Sequence, residues 1–169
     1  MFVDKTKNGE AIELADSAVK WVRNLAYLLH PPLLDEIGLT AALKWFIDGL
    51  AQRSGIGIEL KIQPNTFPRL GTDIETAIFR IVQESLTNVF RHACSDRATV
   101  ELHEQDKQVV VRIRDYGKGF PANGEPTENK VIGVGIAGMR ERIRPFGGDL
   151  RLSRCEPGTV VEATIPLIS

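Results

Sequence analysis

A two-layer α/β sandwich, with helices on one face of a mixed and largely antiparallel sheet, is the fold class this 169-residue sequence predicts. Three observations lead there. Segments with apolar residues in steps of three and four are interspersed with short runs of period two, so helices and strands share one chain. Four of the strand-like runs come as close pairs, 97–104 with 108–115 and 149–153 with 159–166, each pair joined by a short polar turn. With 43% hydrophobic and 25% charged residues, the composition is that of a globular domain able to bury a core.

The polar stretch Met1–Gly9 reads as a tail, native or added in expression. Residues 10–30 form a long amphipathic helix with two apolar seams. One runs through Ile12, Ala15, Val19, Val22, Ala26 and Leu29, the other through Ala11, Leu14, Ala18, Trp21, Leu25 and Leu28. Two adjacent seams suit a helical bundle better than a two-stranded coil, packing on its own domain being the alternative. The helix stops at His30-Pro31-Pro32, since proline cannot continue the hydrogen-bond ladder and restricts the residue before it. His30 thereby takes a capping or hinge place.

A second helix follows Gly38-Leu39-Thr40, with Ala42, Leu43, Phe46, Ile47 and Leu50 apolar, and ends near Gly55. Ile56–Ile62 alternates with period two and is a strand; residues 64–71 are a loop. Thr72 or Asp73 is placed to cap the long helix that runs on through Ala93. After the first strand pair, residues 115–135 are rich in Gly, Pro, Asn and Lys and read as a mobile loop. A short helix over 136–146 stops at Gly147-Gly148, and the last strand pair turns at Pro157-Gly158.

Net charge near −1 and pI about 6.3 exclude non-specific nucleic-acid binding, which leans on a basic surface. Any anion must be held by local groups. Cys94 and Cys155 have no metal-ligand spacing and read as structural thiols of a reducing cytoplasm. No run approaches the roughly 18 apolar residues of a membrane span, and the first ten residues are too polar for a signal peptide. A cytoplasmic module with no membrane contact of its own is expected, in a parent that is free to be membrane-anchored.

Chemistry concentrates in three places. Gln83–Ala93 sets a carboxylate (Glu84), a carboxamide (Asn88) and a cation (Arg91) at spacings of four and three, on neighbouring turns of one helix face. Such a trio on a core-forming helix needs a ligand to be worth its burial. Asp115 continues the inward parity of Val109, Val111 and Ile113, and a carboxylate at the buried end of a strand needs a donor such as an exocyclic amine. Gly117 and Gly119 follow it, giving a sharp turn and room for a flat ring. Gly133-Val134-Gly135-Ile136-Ala137-Gly138 is a glycine-rich run opening a helix, where free N–H groups favour phosphate oxygens. It is neither a Rossmann fingerprint, lacking the preceding parallel strand and later acid, nor a Walker loop, lacking Gly-Lys-[Ser/Thr].

Taken in order, with the Gly158-Thr159 step opening a strand, these elements resemble the ATP-binding catalytic domain of sensor histidine kinases. That domain belongs to the wider superfamily with DNA gyrase B, the Hsp90 chaperones and MutL. Glu84–Ala93 resembles the family's N box, Asp115–Gly119 its G1 box and Gly133–Gly138 its G2 box. Leu29–Leu39 and Gly138–Arg142 resemble the subgroup paired with LuxR-type response regulators. The likeness spans residues 10–166 and implies a Bergerat-type ATP-binding sandwich with an N-terminal bundle-type helix.

The resemblance also implies roles. Asn88 would coordinate the Mg²⁺ that bridges the triphosphate, and Glu84 would be the catalytic base or orienter near the γ-phosphate. Arg91 would meet phosphate oxygens, and His92 would be structural or phosphate-adjacent. Asp115 would read the adenine amine with Thr159 beside it. Gly117, Gly119, Gly133, Gly135 and Gly138 would shape the ATP pocket and a lid over roughly 120–135. Lys118 and Lys130 are read as solvated, with phosphate contact the alternative, and His103 as plain surface. The implied partners are ATP, the phosphoacceptor histidine helix of the parent kinase, a LuxR-type response regulator, and a second copy through the 10–30 helix.

One part of the family pattern is missing. None of His30, His92 and His103 lies in a His-Asp or His-Glu pair on an early helix. The expected organisation is therefore a tail over 1–9, the second helix of an acceptor hairpin over 10–31, a linker over 32–38 and the catalytic domain over 39–169. Such a chain would donate a phosphoryl group but not autophosphorylate. The alternatives are an anti-sigma-type protein serine kinase and an ATP-gated dimerisation module.

Overall fold

The computed structural model describes residues 32–119 and 134–167. The expected helix 10–30, His30, Lys130, Gly133 and most of the expected lid lie outside them. Among the described residues three helices cover one face of a five-stranded sheet in the order β1-β2-β3-β5-β4, with β1 (Gly57–Gln63) parallel to β2 (Arg97–Gln105) and every other pairing antiparallel. The remaining strands are β3 (Gln108–Asp115), β4 (Asp149–Arg154) and β5 (Thr159–Pro166). This is the predicted sandwich.

Helix α1 (Pro32–Ser54) is two helical pieces merged across Gly38, which has φ 80° and ψ 170°. Residues 32–37, expected as linker, are thus helical, and Pro32 stands at a first-turn position where its missing N–H costs nothing. Beyond Gly38, Leu39, Ala42, Leu43 and Ile47 bury one face, and Phe46 meets Phe79 edge-on with ring centroids 5.6 Å apart. Helix α2 (Thr72–Asn88) buries Ile78, Ile81, Val82 and Leu86 between α1 and the sheet. Its cap differs from expectation: Gly71 is the N-cap residue and no side chain caps it. Instead the buried Glu75 carboxylate accepts the Leu70 N–H at 3.0 Å, so Thr72 and Asp73 stay exposed. An acid in the first turn serves the helix dipole equally well.

In β3, Val109, Val111, Ile113 and Asp115 alternate buried against Gln108, Val110, Arg112 and Arg114, the period-two pattern of a strand with one face covered. The β2–β3 turn places Asp106 and Lys107 at positive φ, which matches the strand twist in a two-residue hairpin. On the open face, Arg112 pairs with Glu101 and Glu162, and Lys61 with Glu59 and Glu101. Exposed pairs of this kind contribute at most about 1 kcal/mol each. Helix α3 (Val134–Ile143) packs on α2 and β4 through Met139 and Ile143, both fully buried. At Pro145 it tightens to a 3₁₀ turn, Arg144–Phe146, closed by Gly147 at φ 68°.

Candidate functional site

Between α2, α3 and the strand ends of β3 and β5 lies a cavity of about 340 Å³. Its walls are Val89, Ile113, Ile136, Leu152 and Val161, an apolar slot suited to a flat ring. Polar groups reach it at few points: Ser85 and Asn88 from α2, His92 just beyond, Asp115 and Lys118 from the end of β3, and Thr159 from the start of β5.

Asp115 is 6% exposed, and its Oδ1 accepts the Gly117 N–H at 2.8 Å. The β4–β5 turn closes on the same residue. A Cβ on Gly158 would overlap the Asp115 carbonyl oxygen and stand 2.8 Å from Oδ1, and Gly158 has φ 104°. Only glycine fits there on both counts. Oδ1 is therefore enclosed by backbone on two sides, and Oδ2 is the oxygen left for a ligand donor. Gly117 is held equally closely, since a Cβ on it would overlap the Ala93 carbonyl oxygen, which also accepts the Lys118 N–H at 2.9 Å. A Cβ on Gly119 would come within 2.9 Å of the Gly158 carbonyl oxygen. These contacts tie the Asp115–Gly119 loop to the end of the α2 segment and to the β4–β5 turn.

The helix trio is arranged differently from a single continuous face. Regular α-helix ends at Asn88, and Val89–Ala93 is a π-helical turn closed by Cys94 in the left-handed region at φ 52°. His92, four residues after Asn88, lines the cavity, and the wider turn carries Arg91 further from that face. Arg91 is exposed and outside the cavity wall. Glu84 is half-buried and lies against the first turn of α3, where a Cβ on Gly135 would overlap its Oε1. A carboxylate at a helix N-terminus is favourably placed. Gly138 faces Arg142, whose Nη1 would lie 3.2 Å from a Cβ there, and does not line the cavity.

The structure thus gathers Asn88, His92, Asp115, Gly119, Gly135 and Thr159 around one cavity and leaves Arg91, Gly117, Gly138 and Glu84 at its margins. Lys118 borders the cavity while remaining exposed. Sequence reasoning did not single out Ser85, whose buried hydroxyl has the Met139 sulfur at 3.5 Å, or the apolar walls Leu152 and Val161. Period-two burial in β4 and β5 was the one available signal for the latter. His103 is half-buried on β2, Cys94 is exposed and Cys155 half-buried, both thiols free.

Among the described residues no group of three or more His, Cys, Asp or Glu side chains could hold a metal alone. A cation here would draw most ligands from a bound phosphate chain and water. That would fit Mg²⁺, which keeps waters and takes one or two protein oxygens, and Asn88 at the cavity edge carries one candidate oxygen. No helix among the described residues is long and apolar enough to cross a membrane.

Residues 73–169 match the family described as "Histidine kinase-, DNA gyrase B-, and HSP90-like ATPase". The chain is 34% identical over 156 residues to the Rhizobium johnstonii protein "Sensor histidine kinase MctS", covering 92% of this chain and 33% of that protein. It is 30% identical over 166 residues to "Oxygen sensor histidine kinase NreB" of Staphylococcus carnosus, covering 98% of this chain and 46% of that one. The chain therefore spans less than half the length of these curated relatives. Among solved structures, the histidine kinase domain of an Erythrobacter litoralis blue-light activated histidine kinase aligns with a TM-score of 0.62 and 26% identity, covering 76% of this chain and 61% of that one. The Acinetobacter baumannii histidine kinase AdeS aligns with a TM-score of 0.61 over 100% of this chain and 88% of that one, and at 12% identity shares the fold.

Proposed function

The chain belongs to the histidine kinase-, DNA gyrase B- and HSP90-like ATPase family, and from that premise we propose that it is the Mg-ATP-binding catalytic module of a two-component sensor histidine kinase. The observation that carries the reading is Asp115, a buried carboxylate at the end of an apolar slot with one oxygen free for a single N–H donor. Adenine offers that donor on its exocyclic amine, and the apolar walls take the faces of the ring. Thr159 stands beside the same edge.

From the base, the triphosphate runs toward Asn88, His92 and the first turn of α3, whose backbone N–H groups favour phosphate oxygens. Asn88 would hold Mg²⁺, which supplies charge neutralisation of the β- and γ-phosphates when bound. Glu84, four residues before Asn88, is the group placed to orient the incoming nucleophile or take its proton. Lys118, at the exposed border of the cavity, is the cation nearest the phosphate path, and Arg91, outside the cavity wall, would meet phosphate oxygens only from its margin. The acceptor would be a histidine other than His30, His92 and His103, on a helical hairpin of the parent kinase, with onward relay to a LuxR-type response regulator. A second copy would pair through the apolar seams of residues 10–30, and the module would work in the cytoplasm.

Calorimetric titration with ATP in Mg²⁺, followed by incubation with radiolabelled ATP and an acceptor-histidine hairpin, tests both halves. Binding in Mg²⁺ with acid-labile label on the hairpin is expected. No ATP binding would overturn the reading, and acid-stable label on a serine would replace it with the serine-kinase alternative.

A further inference from the structure

The break at Gly38 is held by one side chain from a distant part of the chain. Arg69, in the loop between β1 and α2, lies over Gly38, where a Cβ would come within 3.3 Å of the Arg69 Cδ. Its Nη2 donates to the Leu34 carbonyl at 3.3 Å. Leu34 is among the last four residues before the break, and a cation there meets the negative end of that helical piece. The Nε of Arg69 donates to Glu75 Oε1 at 3.1 Å. Glu75 is 1% exposed, and Arg69 is its one ion-pair partner among the described residues. A single guanidinium therefore joins the end of one helical piece to a buried acid in the first turn of α2.

Among the described side chains, the first piece of α1 has one buried apolar anchor, Leu34. Beyond Gly38 the helix is anchored by Leu39, Ala42, Leu43 and Ile47, but before it Asp35, Glu36 and Ile37 are exposed and Leu34 is buried. Helix α2 carries Glu75 at one end and Glu84 and Asn88 at the other, roughly 14 and 20 Å along the same rigid axis. We infer that Arg69 and Glu75 form a latch that fixes the angle between the first piece of α1 and α2, which makes Arg69 a positioning residue for phosphoryl transfer. The positioning role rests on the function proposed above; the latch itself does not. About ten degrees of play at Gly38 would displace a group 20 Å away by roughly 3 Å, comparable to the whole near-attack distance.

The test uses the full chain with Cys94→Ser and Cys155→Ser, spin-labelled at Glu36→Cys and at Ser153→Cys on the far edge strand. In the otherwise unchanged chain the label-to-label distance distribution is expected to be narrow. Arg69→Ala should broaden it about twofold and speed amide exchange over residues 35–39 about tenfold, with Mg-ATP affinity unchanged. Arg69→Lys, a point charge unable to bridge two acceptors in fixed geometry, should restore the width only in part. Arg69→Ala combined with Glu75→Gln removes the stranded buried charge, keeps the Leu70 N–H acceptor, and should broaden equally while remaining folded. Distributions for Arg69→Ala and the double variant that superimpose on the starting one would overturn the latch, as would a loss of Mg-ATP affinity in step with the broadening. A latch that behaves as described in a chain that binds no ATP would leave the latch standing and remove the functional reading.

Discussion

Replacing Asp115 with Asn separates nucleotide recognition from stability, because the two should move independently. Asp115 Oδ1 accepts the Gly117 N–H at 2.8 Å, and an Asn carbonyl oxygen keeps that bond. The amide NH₂ then occupies the place of Oδ2, so a donor faces the exocyclic amine of adenine. A charge-assisted hydrogen bond worth roughly 1.5–3 kcal/mol is lost, and two donors are left opposed at a further cost of about 1 kcal/mol or more. A total near 3 kcal/mol raises the Kd for ATP roughly 150-fold. Folding loses nothing comparable, since a carboxylate 6% exposed with one backbone partner gains from neutralisation in desolvation what it loses in bond strength. Inosine triphosphate carries a carbonyl where adenine carries its amine, so the Asp115→Asn variant should favour it and the unsubstituted chain should not. Competition calorimetry with the two nucleotides, alongside thermal melts, reads all three quantities. An Asp115→Asn variant whose Kd for ATP stays within about threefold of the original, or whose inosine-to-adenine preference is unmoved, would refute the assignment of Asp115 to the base.

Three further substitutions probe the neighbouring contacts. Gly117→Ala drives a Cβ into the Ala93 carbonyl, whose carbon would lie 2.7 Å away, and backbone cannot swing aside. Overpacking of about 2–3 kcal/mol should lower Tm by roughly 8 °C in a melt, and a change under about 1 °C would show that the loop gives freely. Gly135→Ala overlaps only the flexible end of Glu84, so Tm and Mg-ATP affinity should hold while hairpin phosphorylation falls about 100-fold, as for Glu84→Ala. Undiminished transfer in both would remove Glu84 from the chemistry. Asn88→Ala should bind ATP equally with Mg²⁺ or with chelator, whereas the original chain binds tighter with Mg²⁺, and a variant that still gains from the metal would show that another residue holds it.

Strand β3 shows how far a local pattern reaches. Its side-chain period is two, so counting from Val109 places Asp115 on the buried face without knowledge of any neighbour, and the structure agrees. The same holds for the hairpin partners and for the glycines that open sharp turns, because strand and turn geometry are properties of adjacent residues. The sequence alone also carried the order of motifs from Glu84 to Thr159, hence the family. Tertiary structure decided what those motifs touch. The π-turn that carries Arg91 away from the cavity changes the phase of a helix whose local pattern continues uninterrupted. The close approach of Gly158 to Asp115 joins residues far apart in sequence. Glu75, rather than Thr72 or Asp73, serves the start of α2 because Arg69 and Leu70 fold back onto it. Periodicity reports which face of an element is buried; which groups meet across that burial depends on how the elements cross, and only the packed chain determines it.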